Sequence, residues 1–311
     1  MSKIYEALLR AELDRLAFDG PGSGRQHGAI ATEEVPSGTA ISTLITEREA
    51  QPSSYSGGLA GPGRVRKSLW TPCVDKLPVL QRRGLLLEQF RSLRTRFLEM
   101  KTQTSIKSIL ISSALPQEGK SFVAANLALS LALHKNSRVL LIDGDMRRHT
   151  LHNTLGCELG LGLAEYLAGK ASLLDTMQQT LPLESMPNNP VSRLETLTFI
   201  SAGTAGDSAA DLSASKRLPQ LITAAAPHFD WIVIDSSPAN LVSDATNLAQ
   251  ACDGILLVAR SGVTQVAAAG HALSGFRQEK LLGFVLNGAA DVSRPGGYYG
   301  YDAPEAEVAS L

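Results

Sequence analysis

The sequence predicts an α/β fold built on a doubly wound, mainly parallel sheet, and three observations carry that prediction. Short, continuously apolar runs occur at 106–111, 138–143, 197–201, 231–235, 254–259 and 282–287, as expected of strands covered on both faces. Between them lie segments with helical spacing, at 122–133, 161–168, 214–226, 243–251 and 266–277. Strand alternating with helix implies parallel pairing through right-handed crossovers. Finally, the notable polar residues follow the carboxyl ends of the strands, where open sheets of this kind hold their ligands.

In chain order, residues 1–19 read as an amphipathic helix, with Ile4, Ala7, Leu8, Ala11 and Leu16 near one face. So short a helix is marginal alone; it packs on its own domain or docks on a partner. Residues 20–77 change character. Stretches such as Gly20-Pro21-Gly22-Ser23-Gly24 and Pro52-Ser53-Ser54-Tyr55-Ser56-Gly57-Gly58 lack periodicity and read as a disordered linker. The folded unit is expected at 78–292 and a tail at 293–311. The unit opens with a helix at 85–100, with Leu86, Phe90, Leu93 and Phe97 as its apolar stripe and Glu88, Arg91 and Arg94 on a polar face. That polar triplet is either a set of solvated ion pairs or a rung of a subunit interface.

The chemistry centres on Ser112-Ser113-Ala114-Leu115-Pro116-Gln117-Glu118-Gly119-Lys120-Ser121. It leaves a strand and opens a helix, the arrangement in which a phosphate-binding loop wraps a nucleotide. Inward backbone N–H groups and the helix N-terminus favour anions there. Gln117, Glu118, Gly119, Lys120, Ser121 and Phe122 are therefore the candidate nucleotide contacts. Lys120 is expected to reach the terminal phosphates and Ser121 to bind Mg²⁺. The loop departs from the usual pattern at Ala114, where φ > 0 would carry a steric cost that glycine avoids, and at Gln117.

Two strands end in aspartate: 139–143 runs into Asp143-Gly144-Asp145-Met146-Arg147, and 231–235 into Asp235-Ser236-Ser237-Pro238. A carboxylate after four apolar residues is costly to bury unless a cation faces it. Mg²⁺ keeps several waters and takes few protein ligands, so Ser121 is assigned as a direct ligand, with Asp235 through water and Asp145 nearby. Asp143 and Asp145 are candidates to orient the metal or to take a proton from an attacking hydroxyl, alongside the phosphate-neutralising Lys120. Asn287 closes the last strand and either contacts an adenine edge or forms a turn. Three of the six tyrosines, Tyr298, Tyr299 and Tyr301, lie within four residues among glycines. They read as phosphoryl acceptors on a mobile tether, or as an aromatic binding tail.

Composition excludes several classes. The 311 residues are 44% hydrophobic with net charge −1, giving no overall basic field for nucleic acid. Cys73, Cys157 and Cys252 form no paired motif, which argues against a zinc or iron–sulfur site and fits a cytoplasmic protein. No apolar run approaches the ~20 residues of a membrane span.

Together, Glu88/Arg91/Arg94, the loop ending Gly119-Lys120-Ser121, Asp143-x-Asp145-x-Arg147, Asp235-Ser-Ser-Pro and the tyrosine cluster make residues 78–302 resemble the bacterial tyrosine kinases of capsule and exopolysaccharide synthesis. Met1-Ser2-Lys3-Ile4-Tyr5-Glu6-Ala7-Leu8 resembles the start of the members without a fused membrane segment. The resemblance implies a P-loop NTPase fold and ATP-dependent autophosphorylation of the tail tyrosines, in trans within a homo-oligomeric ring joined by Glu88, Arg91 and Arg94. It also implies a membrane adaptor related to polysaccharide chain-length regulators, recruiting the protein to the inner face of the cell membrane. The alternative is a non-kinase ATPase switch of the partitioning type. Members of that group carry a signature lysine just after the first loop glycine, where this chain has Leu115.

Overall fold

The computed structural model describes residues 65–135, 137–181 and 194–289. The elements are, in order, β1 (Arg66–Ser68), α1 (Leu85–Gln103), β2 (Ser108–Ser113), α2 (Lys120–Ala132), β3 (Val139–Asp143), α3 (Leu151–Leu155), α4 (Leu163–Leu167), α5 (Leu173–Thr176), β4 (Met177–Thr180), β5 (Leu197–Ile200), α6 (Ala209–Ser213), α7 (Arg217–Ala225), β6 (Trp231–Asp235), α8 (Asp244–Ala251), β7 (Gly254–Arg260), α9 (Val266–Ser274) and β8 (Leu281–Asn287). The sheet runs β1-β4-β5-β3-β6-β2-β7-β8. All pairs are parallel except β4 with β5.

Strand alternation divides the interior between two layers. Ile109, Ile111, Val139, Leu141, Val233 and Val258 point to one face, where α1 and α2 cover them. Leu110, Leu140, Ile142, Ile232, Ile234 and Leu257 point to the other, against α4, α7 and α8. Both faces are dry because period-two side chains of an all-apolar strand cannot avoid either core. Six strands fall where apolar runs predict them, shifted by a residue or two at their ends.

Several expectations need correction. The folded unit starts near Val65, not Pro78. β1 pairs with β4, Trp70 is 1% exposed and meets Phe199 edge-on at 6.3 Å, and Leu77 is fully buried. Burying a large apolar side chain is worth about 1.5–3 kcal/mol, enough to hold this polar stretch against the sheet. On α1 the buried face is Leu87, Phe90 and Phe97, while Leu86 stands 47% exposed. The helix begins one residue out of phase with the expected stripe. Two short polar strands, β1 and β4, carry no apolar signature and sit toward one edge. Residues 1–64, and with them the N-terminal helix and most of the linker, lie outside the described residues. So does everything from residue 290 onward, including Tyr298, Tyr299 and Tyr301.

Candidate active site

The central strands put the site together. β2 lies between β6 and β7, with β3 beyond β6, so the loop after β2 faces the ends of both aspartate-bearing strands. Asp143 and Asp235 are direct register partners on β3 and β6. The strand ends are tied to one another: Ser236 Oγ donates to the Ile111 carbonyl at 3.0 Å, Gly144 N to the Asp235 carbonyl at 3.0 Å, and Ala239 N to the Ser113 carbonyl at 2.8 Å.

Gly119 caps α2 with φ 95°, and a Cβ there would collide with the Asn287 amide. Glycine is required on both counts. The other left-handed residue in the loop is Gln117, with φ 62°, whereas Ala114 is buried with no positive φ. The steric cost expected at Ala114 therefore falls three residues later, at about 1 kcal/mol.

Lys120 Nζ lies 3.0 Å from Asp145 Oδ2, with both side chains largely buried. Burial works against the lysine's charge, but Asp235 and Asp145 outweigh it and lift its pKa above the ordinary range. Burial also pushes Asp143 well up, with repulsion from Asp235 adding to it. Its carboxylate accepts the backbone N–H of Leu151 at 3.2 Å and of Asp145 at 3.3 Å, so it also organises the turn leading into α3. Asp235 is the outlier. Neither of its buried oxygens has a well-formed hydrogen-bond partner, although the Ser121 hydroxyl and the Ser236 N–H lie close enough to favour its charged form. Burial pushes its pKa up to about 6, partly offset by Lys120 and Ser121. A fully buried carboxylate with two orphaned oxygens beside a serine hydroxyl is a donor set that fits Mg²⁺ and its waters.

The remaining candidates divide. Asn287 Nδ2 donates to the Glu118 carbonyl at 2.9 Å, which ties the end of β8 to the phosphate loop. Glu118 turns inward: it is 1% exposed, and its carboxylate accepts Leu115 N at 2.8 Å and the Thr264 hydroxyl. Its side chain serves the loop rather than a ligand. Phe122 packs its ring on Phe90 at 5.7 Å, so it too faces the core. Arg147 pairs with the buried Asp244 at 2.7 Å. Away from the site, Arg91 pairs with Glu88 at 2.5 Å on the surface of α1, while Arg94 reaches the Ser130 carbonyl of α2 at 3.0 Å. Arg94 is thus engaged within its own chain.

Sequence reasoning missed Asp244, Arg260 and Thr264. Arg260 ends β7 as the aspartates end their strands, and its guanidinium donates to the Gln117 carbonyl at 3.4 Å. Among the described residues no cluster of three or more His, Cys, Asp or Glu side chains forms a ready metal cage. The site can bind a metal–nucleotide and neutralise a transferring phosphoryl group.

No family model matches the chain. It is 34% identical over 223 residues to the tyrosine-protein kinase YwqD of Bacillus subtilis, covering 70% of this chain and 88% of that protein. It is 31% identical over 321 residues to the tyrosine-protein kinase wzc of Salmonella typhimurium, all of this chain but only 39% of that one. Its fold is similar to the kinase domain of Escherichia coli tyrosine kinase ETK, with TM-score 0.60 and 26% identity, over 78% of this chain and 96% of that domain.

Proposed function

The chain belongs to the bacterial tyrosine-protein kinases, and on that premise we propose that it is an autokinase that transfers phosphate from Mg-ATP to its own C-terminal tyrosines, Tyr298, Tyr299 and Tyr301. The observation that carries the reading is the convergence of Lys120, Asp143, Asp145 and Asp235 on the loop Gly119-Lys120-Ser121. Phosphoryl transfer asks mainly for alignment and charge neutralisation. Lys120 and the loop amides supply positive potential toward the terminal phosphates, and bound Mg²⁺ would add to it, held by Ser121 with Asp235 and Asp145 behind. Asp145 then gives up its pairing with Lys120 as the lysine turns to phosphate. Asp143, whose ionised form gains proton affinity from burial, and Asp145 are the carboxylates that would take the tyrosine proton.

Acceptance in trans within a ring, contacts between subunits through Glu88, Arg91 and Arg94, and control of exopolysaccharide or capsule assembly through a membrane adaptor belong to the same proposal. They rest on the family resemblance. No helix among the described residues is long and apolar enough to cross a membrane. The test is labelling of purified protein with Mg-ATP, with and without the adaptor's cytoplasmic segment. Phosphate is expected on the tail tyrosines, and Lys120→Met is expected to abolish it. Hydrolysis of ATP without protein labelling would favour the switch reading instead.

A further inference from the structure

We propose that Thr264 and Glu118 are positioning residues of the phosphate loop, acting through a clamp that the turn between β7 and α9 applies to it. The proposal rests on the reading of this loop as the nucleotide site.

Three side chains, two at strand ends and one in the turn after β7, reach the same two loop residues. Arg260 donates to the Gln117 carbonyl, Asn287 donates to the Glu118 carbonyl, and the Thr264 hydroxyl donates to the Glu118 carboxylate. Thr264 Oγ1 in turn accepts the Arg260 backbone N–H at 2.7 Å, which fixes its rotamer and aims its proton at Glu118. The other Glu118 oxygen holds Leu115 N at 2.8 Å. The carboxylate therefore bridges the start of the loop to the neighbouring turn. Inside this span lies Gln117, a non-glycine residue at φ 62°, a conformation that persists only when its surroundings impose it.

A carboxylate in a loop that receives phosphate is electrostatically unfavourable. Its burial at 1% exposure, with its oxygens turned onto a backbone amide and a hydroxyl, gives it a mechanical role instead. Fixing the loop before the nucleotide arrives lets binding proceed without ordering it then.

The test compares Thr264→Val, which keeps the branched shape and deletes the hydroxyl, with Thr264→Ser, which keeps the hydroxyl. Glu118→Gln is less clean alone, because it removes an acceptor and a negative charge at once. Calorimetric titration of the full chain with Mg-ATP should give Thr264→Val about tenfold weaker affinity, with Thr264→Ser within about threefold of wild type. In labelling assays Thr264→Val should raise the KM for ATP more than it lowers kcat. In a Glu118→Ala background it should add little further loss, because the acceptor of the Thr264 proton is then gone. Equal affinity for all three proteins, equal losses for Val and Ser, or fully additive losses would overturn the clamp while leaving the nucleotide site intact. Failure of the wild-type chain to bind Mg-ATP would instead sink the site reading, and the clamp with it.

Discussion

Asp235→Asn should make the metal-free protein less sensitive to rising pH. The wild-type carboxyl is fully buried with unpartnered oxygens, and its pKa rises from 3.8 to about 6. At about 1.4 kcal/mol per pH unit, that rise corresponds to about 3 kcal/mol. The folded state holds this proton more tightly than the unfolded chain does. The contribution is therefore complete below pH 4 and lost as pH climbs through 6. Asp143 adds in the same direction, since burial and then repulsion from Asp235 raise it, and the variant relieves that repulsion. An unpaired buried amide costs about 1–3 kcal/mol, but that cost does not vary with pH. The quantity to measure is thus the change with pH in the stability difference between variant and wild type. Urea titrations of metal-free protein from pH 4.5 to 7.5 should show the variant gaining roughly 2–3 kcal/mol relative to wild type. A difference that stays flat across this range would refute the reasoning. Mg-ATP should then stabilise only the wild type, by mass action, and the variant should label poorly.

Two further predictions concern the frame. Trp70→Ala should cost about 3–5 kcal/mol in urea unfolding, and a chain beginning at residue 78 should unfold at lower urea than one beginning at 65; equal midpoints would return 65–77 to linker. Arg91→Ala should leave the melting temperature almost unchanged, since exposed i,i+3 pairs contribute only about 0.2–0.5 kcal/mol, yet should shift sedimentation toward monomer. Arg94→Ala should instead lose about 1 kcal/mol of stability through its bond to Ser130. Unchanged mass for Arg91→Ala would remove it from the proposed interface.

The sheet was legible because its central strands are fully apolar, as in Val139-Leu140-Leu141-Ile142 before Asp143 and Trp231-Ile232-Val233-Ile234 before Asp235. Burial on both faces writes itself into composition. Arg66–Ser68 at the sheet edge and Met177–Thr180 beside it were illegible for the converse reason, since few of their residues are apolar. Trp70 and Leu77 were illegible because prolines and charged residues interrupt the apolar residues around them, leaving no helical or strand period. At the site, Lys120 and Ser121 were legible from the Gly-Lys-Ser run that opens α2, and Asp143 and Asp235 from their places at strand ends. The inward turn of Glu118 could not, because sequence spacing does not say which way a loop side chain points. Its partner Thr264 lies 146 positions away.

The last strand ends against the loop it serves, Asn287 bonding to the residue before Gly119. Tyr298 follows 11 positions later, a span of up to about 36 Å if extended. If the proposed tail tyrosines are the acceptors, chain length alone would let a subunit present its own tyrosine to its own site, and a preference for a neighbour's would then have to come from packing between subunits. Dilution reads this directly: labelling per molecule that slows as protein is diluted reports capture between copies, and a rate indifferent to dilution reports self-capture.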